Sequence, residues 1–233
     1  MRPVERYLPQ QPAPSGLRFS RDCLSEKVLQ AFEDITFPVT YPEHAELISR
    51  NQPCRAVFAL YSGRAKVSTP SRDGKKVMLR VAQPGEILGL SSVIAGTGYT
   101  VAAETLAPTL VRTAKREDFV EFVREYPEVN FALLSSLGEE YEQGLQTLRS
   151  LAWFTTASGR VAQLLLQMCP AATPAHEAKA KLLLTQEQIA QMAATTRETV
   201  TRLLAQLRRE QVIQIRGSIL TIRDRRALER LQL

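Results

Sequence analysis

The chain has 233 residues, 44% hydrophobic and 23% charged, enough apolar material for a buried core and too much for intrinsic disorder. Three cysteines, Cys23, Cys54 and Cys169, stand far apart without a C-x-x-C pair, which argues against a disulfide framework and a thiolate metal cluster. The net charge of +6 is concentrated: residues 181–233 carry ten Lys and Arg against five Asp and Glu, the first 180 residues twenty against nineteen, so a surface for a polyanion belongs in the last quarter.

Residues 1–20 hold Pro3, Pro9, Pro12 and Pro14 among few periodic apolar positions, and are expected to form a flexible arm. No stretch nears the roughly 18 apolar residues of a membrane helix, and the N-terminus lacks the apolar core of a secretory signal, so the expectation is a soluble, cytoplasmic protein without a membrane partner. From Asp34 to Thr113 short β-type runs alternate with turn residues: 35–40, 56–61, 65–69, 77–81, 100–104 and 110–113. Asp73-Gly74 between two of them is a hairpin signal, because both residues tolerate the positive φ of a type I′ turn. Many short strands at regular spacing predict an antiparallel barrel or jelly roll.

After Pro127 the period becomes helical. Leu134, Leu137, Tyr141, Gly144, Leu148 and Leu151 recur at alternating spacings of three and four between polar residues. This narrow seam on a helix of about 25 residues predicts lengthwise association with a second copy, the alternative being a helix that packs on its own barrel. A further helix runs from Ser158 or Gly159 through Val161, Leu164, Leu165 and Met168 to Cys169-Pro170, and 171–181 reads as a loop.

Thr185 with Gln188 forms a capping-box pattern that starts a short helix with Ile189, Met192 and Ala193 on its apolar side. After Ala194-Thr195-Thr196, a second helix places Val200, Leu203, Leu204 and Leu207 inward and Arg197, Glu198, Thr201 and Arg202 on the opposite face, at its N-terminus. Two short helices joined by so tight a turn direct the second into a DNA major groove. Arginine bonds guanine O6 and N7 bidentately and glutamate accepts from the cytosine amino group, so this face predicts G·C readout. A β-hairpin over 212–222, interrupted by Gly217-Ser218, is the expected wing. Arg208, Arg209, Arg216 and Arg223, with Thr185 and Thr196 at the helix starts, are the expected phosphate contacts; solvated surface arginines are the plain alternative, and for Arg208 and Arg209 so is a favourable place at a helix C-terminus.

Residues 20–225 resemble a Crp/Fnr-family transcription regulator. The resemblance lies in Tyr41-Pro42 through Ile48, Tyr61-Ser62-Gly63, Asp73-Gly74-Lys75 and Pro84-Gly85-Glu86 to Gly89, similar to the family's cyclic-nucleotide-binding barrel. More specifically, Thr196-Arg197-Glu198-Thr199-Val200 to Arg202 is similar to its recognition helix. It implies an α+β chain: a flexible arm at 1–20, a jelly-roll effector barrel at 21–126, a dimerisation helix at 127–156 and a winged helix-turn-helix domain at 157–233. It also implies a homodimer on a palindromic operator, with Arg197, Glu198 and Arg202 reading a TGTGA-like half-site, and RNA polymerase as a further partner. Asn51 and Ala194 stand where the family often has Gly. The family's cyclic-AMP cassette supplies a Glu and an Arg-Ser pair, where this chain has Gly89-Leu90 and Thr100-Val101, and Leu145 and Gln146 stand where base-contacting hydroxyls occur. Cyclic AMP is therefore not expected to bind in the usual way, and the effector is left open. Neither cofactor nor metal is expected: Cys23 is the one cysteine near the N-terminus, and His44 and His176 are the only histidines.

A rival reading is a small-molecule-binding module whose C-terminal domain mediates protein contacts. A cupin-like enzyme is disfavoured, since no His/Glu ligand cluster falls in the strands.

Overall fold

Aliphatic and β-branched residues dominate the described chain from Thr36 to Lys115 and form strands, framed by helices where the period lengthens. The structure, a computed structural model, describes residues 24–71, 76–169, 178–182 and 184–232. The 1–20 arm, Asp73-Gly74 and His176 lie outside the described residues. By internal contacts the chain divides into two units, 24–67 with 81–139 and 68–80 with 140–232.

In the first unit, helix α1 (Glu26–Asp34) buries Val28 and Phe32. The strands β1 (Thr36–Tyr41), β2 (Glu46–Ile48), β3 (Ala56–Leu60), β4 (Ala65–Pro70), β5 (Lys76–Ala82) and β6 (Ile87–Leu88) follow, then α2 (Leu90–Ala95), β7 (Ala102–Thr105), β8 (Thr109–Lys115) and α3 (Arg116–Glu125). They make two four-stranded sheets, ordered β1-β8-β3-β6 and β2-β7-β4-β5. Antiparallel pairing runs from Thr36↔Ala114 to Tyr41↔Thr109 between β1 and β8, and from Ala56↔Lys115 to Leu60↔Val111 between β3 and β8. The resulting jelly-roll-like barrel is filled by side chains including Val57, Leu60, Leu90 and Val111, and the helices close on it through an aromatic cluster: Phe122 has ring centroids 5.6 Å from Phe32 and 5.3 Å from Tyr126. Asn51 takes the left-handed conformation its place in the turn requires, with φ +67°.

Helix α4 (Val129–Trp153) has the expected 25 residues. Its start belongs to the barrel unit, where Val129 and Leu133 are buried and Leu137 packs beside them. Its later turns belong to the second unit, where Thr147 Oγ1 donates to the Leu79 carbonyl at 3.3 Å and Arg80 lies 3.5 Å from the Glu140 carboxylate.

The second unit continues with α5 (Ala157–Met168), β9 (Ala178–Lys181), α6 (Gln186–Met192), α7 (Arg197–Arg209), β10 (Ile213–Arg216), β11 (Ile219–Ile222) and α8 (Arg225–Arg230). Val161, Leu165, Ile189, Leu207, Leu220 and Leu228 meet in one core. The loop expected over 171–181 is corrected at its end: 178–181 is strand β9, paired with β11 from Ile222↔Ala178 to Ile219↔Lys181. The short Ala-Lys alternation carries little β signal of its own, so pairing with the wing strand decides its conformation. The architecture is thus α+β as expected: a jelly-roll-like barrel, a long helix and a C-terminal helix-turn-helix with a β-hairpin.

Candidate nucleic-acid interface

The interface is built on the two capped helices of the second unit. Gln188 N donates to Thr185 Oγ1 at 3.2 Å and Thr185 N to Gln188 Oε1 at 2.9 Å, so the capping box satisfies donors that α6 would otherwise leave open. A tight turn follows in which Ala194 adopts φ +47°, a conformation disfavoured for alanine. Thr196 then caps α7 by accepting from Thr199 N at 3.3 Å. Val200, Leu203, Leu204 and Leu207 are all buried in α7. At about 1.5–3 kcal/mol for each fully buried aliphatic side chain, these four fasten the helix by roughly 6–12 kcal/mol.

The opposite face is open: Arg197, Glu198, Thr201 and Arg202 are exposed together over the first turns of α7. The Thr201 hydroxyl lies 2.5 Å from Gln186 Oε1 and 2.9 Å from the Arg197 carbonyl, which fixes its rotamer. A hydrogen bond from its own backbone N–H, then the Thr196 hydroxyl and the Arg197 charge, hold the Glu198 carboxyl below the usual carboxylate range. Glu198 therefore stands as an ionised acceptor beside the Arg197 charge.

The wing is the β10–β11 hairpin, in register from Ile213↔Ile222 to Arg216↔Ile219 and turned at Gly217-Ser218. Arg216 is exposed beside that turn, and Arg208 and Arg209 are exposed in the last turn of α7. These three arginines, with Gln211 and Gln214, line an open groove of about 560 Å³ between α7 and β10. Arg223, exposed beyond β11, donates through Nη2 to Gln214 Oε1 at 2.6 Å. The supporting roles of Gln186 and Gln214 carry no sequence signal, because each depends on a partner brought near by the fold.

The dimer candidates lie along α4. Leu134, Tyr141 and Leu148 are 64%, 66% and 64% exposed, one residue every seven. Phe131 and Trp153, near the two ends of the helix, are exposed as well. Leu137 instead faces the barrel core, and the side chain of Leu151 lies outside the description.

The effector candidates are divided between the units. In the barrel, Gly89 has φ +83°, which favours glycine, and a Cβ there would stand 3.1 Å from the Tyr99 ring, so the ring would have to give way. Leu90 is buried in the core, Val101 is half-buried beside it, and Thr100 is exposed with its carbonyl accepting from Arg50 Nε at 3.1 Å. The Tyr99 phenol donates to the Ala56 carbonyl at 2.7 Å and accepts from Ala56 N at 3.2 Å. Burial raises that phenol to about 12 and pushes the neighbouring Cys54 thiol up. Leu145 and Gln146 lie on α4 in the other unit, half-buried and exposed respectively. Among the described residues no group of three or more His, Cys, Asp and Glu is placed to hold a metal ion.

Comparison with known proteins matches 38–126 to the cyclic nucleotide-binding domain and 159–231 to the Crp-like helix-turn-helix domain. Over 195 residues the chain is 27% identical to the CRP-like cAMP-activated global transcriptional regulator of Mycobacterium tuberculosis, covering 83% of this chain and 87% of that one. The structure of FixK2 from Bradyrhizobium japonicum matches with TM-score 0.69 and 25% identity over 84% of this chain and 97% of that one. The global regulator CLP of Xanthomonas campestris, described as c-di-GMP responsive, shares the fold with TM-score 0.72 at 15% identity, over 85% and 99% of the respective chains. A barrel of the cyclic-nucleotide-binding type joined to a helix-turn-helix with an exposed arginine face defines a DNA-binding transcription regulator. Both domain matches occur in one chain, together with relatives that align along most of its length, and the chain belongs to the Crp/Fnr family.

Proposed function

We propose that the chain is a homodimeric regulator that reads a palindromic operator through Arg197, Glu198 and Arg202. The observation that carries this reading is the exposed Arg-Glu-Arg face at the N-terminus of α7, held on a buried Val200-Leu203-Leu204-Leu207 face. Arg197 and Arg202 bond guanines and Glu198 accepts from a cytosine amino group. Thr201 completes the face, and Thr185, Thr196, Arg208, Arg209, Arg216 and Arg223 contact phosphates. The exposed line Leu134, Tyr141 and Leu148 supports pairing of α4 with a second copy. Two-fold symmetry then sets the half-sites about 34 Å apart.

The chain acts in the cytoplasm, with RNA polymerase as the partner through which it regulates. Its barrel does not bind cyclic AMP in the usual way, although the relative in Mycobacterium tuberculosis is named as cAMP-activated. Buried Leu90 accepts nothing from a ribose hydroxyl, and Thr100-Val101 bring no guanidinium of their own to a cyclic phosphate. Calorimetric titration with cyclic AMP is expected to give no heat; micromolar binding would overturn this part.

The DNA reading is tested by the salt dependence of duplex binding. Four arginines to phosphate per copy, eight per dimer, give a slope of log K against log salt near −7. A flat slope would refute phosphate contact and leave the C-terminal unit a protein-binding surface.

A further inference from the structure

Arg160, on the first turn of α5, engages two parts of the second unit at once. Its Nη1 donates to the Phe154 and Thr155 carbonyls at 2.9 and 3.1 Å, immediately beyond the C-terminus of α4. Its Nε donates to the Ala193 carbonyl at 2.7 Å and Nη2 to the Ala194 carbonyl at 3.3 Å, in the turn between α6 and α7. One cation thus sits at the negative ends of two helices, where carbonyls lack intrahelical partners. The planar guanidinium offers donors in fixed directions to both pairs; an ammonium offers a single nitrogen and cannot span them.

The anchorage of α5 is equally specific. Thr156 caps it by accepting from Gly159 N at 3.0 Å, and a Cβ on Gly159 would stand 3.0 Å from the Leu231 carbonyl. The helix bearing Arg160 therefore has little freedom to shift. At the other end of the strut, Ala194 is held at φ +47°, where alanine does not rest unaided. The direction of α7 depends on this turn, since Thr196, the cap of α7, is only two residues on.

We propose that Arg160 is a positioning residue for DNA reading: it ties the segment just beyond α4 to the turn that aims α7, and so holds the angle of the Arg197-Glu198-Arg202 face. The proposal rests on the DNA reading above. It makes Arg160 act on specificity, because phosphate contacts tolerate a tilted helix and bidentate base contacts do not.

The test uses the full chain and a duplex enriched from random sequence by the unmodified protein, with an unrelated duplex as reference. Arg160→Gln is expected to lower the ratio of preferred to unrelated binding at least about tenfold, with binding to the unrelated duplex and its salt slope retained. Arg160→Lys is expected to restore only part of that ratio. Hydrogen exchange supplies a second readout: in Arg160→Gln the amides of 193–197 should exchange faster, while those of α5 and β11 keep their protection. An unchanged ratio, an equal loss on both duplexes, or faster exchange throughout the unit would overturn the positioning role and leave Arg160 a general brace. Failure of the unmodified chain to enrich any duplex would instead refute the DNA reading itself, before any variant is made.

Discussion

Leu148→Ala tests whether α4 is buried against a second copy. Leu148 is 64% exposed in a single chain. Full burial of a leucine side chain is worth about 1.5–3 kcal/mol, so the part still open to water would contribute about 1–2 kcal/mol on association. Two-fold symmetry counts the residue twice, giving about 2–4 kcal/mol, or a dimer dissociation constant raised roughly 30- to 700-fold. Alanine retains a little contact, which puts the expected effect toward the lower figure. Leu148→Glu adds an unpaired charge and should yield monomers at micromolar concentration that bind DNA poorly. Sedimentation velocity over a concentration series reads both variants, and thermal melting should show the fold intact because the residue is not part of a single chain's core. Unchanged sedimentation for both variants would refute the seam.

Three further outcomes follow from the site. Arg202→Ala should cost about 1–3 kcal/mol and relax preference at one G·C pair, whereas Arg223→Ala should weaken all duplexes alike; an equal loss on every duplex for Arg202→Ala would end its base-reading role. Because the Glu198 carboxyl is held below the usual range, its preference for cytosine should persist as pH falls to the ordinary Glu value of about 4.3 and fade only below it. The same depression stabilises the fold above the unfolded-state value and is lost as pH falls through the folded one; competition binding in which preference fades well above that ordinary value would contradict the assignment. Tyr99→Phe takes the partner from the Ala56 N–H and leaves the Ala56 carbonyl only the weak Cys54 Sγ donor at 3.8 Å, and should destabilise by about 1–3 kcal/mol in chemical denaturation. With the phenol raised from 10 to about 12, wild-type stability should decline as pH rises through that range, a decline the variant shows less steeply. Equal alkaline slopes would show that the phenol is not the group responsible.

Helix α7 was legible because its apolar residues keep the 3.6 period and its caps are local, and the Thr185–Gln188 box likewise lies within four residues. Strands β2 and β6 are three and two residues long, too short to display alternation, and become strands through their partners β7 and β3. Strand β9 and the supports Gln186 and Gln214 depend on contacts distant in sequence, as does Arg160, whose acceptors lie 33 and 34 residues away as well as next door. The exposed apolar line on α4 was partly legible: periodicity marks Leu134, Tyr141 and Leu148, but cannot tell that Leu137 turns to the barrel. A sensor pocket is recognised by polar groups at set positions, and Leu90, Thr100 and Val101 depart from that pattern without naming a replacement ligand.

The most direct measurement is repeated selection of preferred sites from a random duplex pool with the purified full-length chain at moderate salt, with and without cell extract as a source of ligand. Enrichment of a palindrome with G·C pairs in each arm, the arms centred one helical turn apart, is the predicted result, and Arg202→Ala should return the same palindrome degenerate at one pair per arm. A pool still random after several rounds under both conditions would contradict the claim that α7 reads DNA.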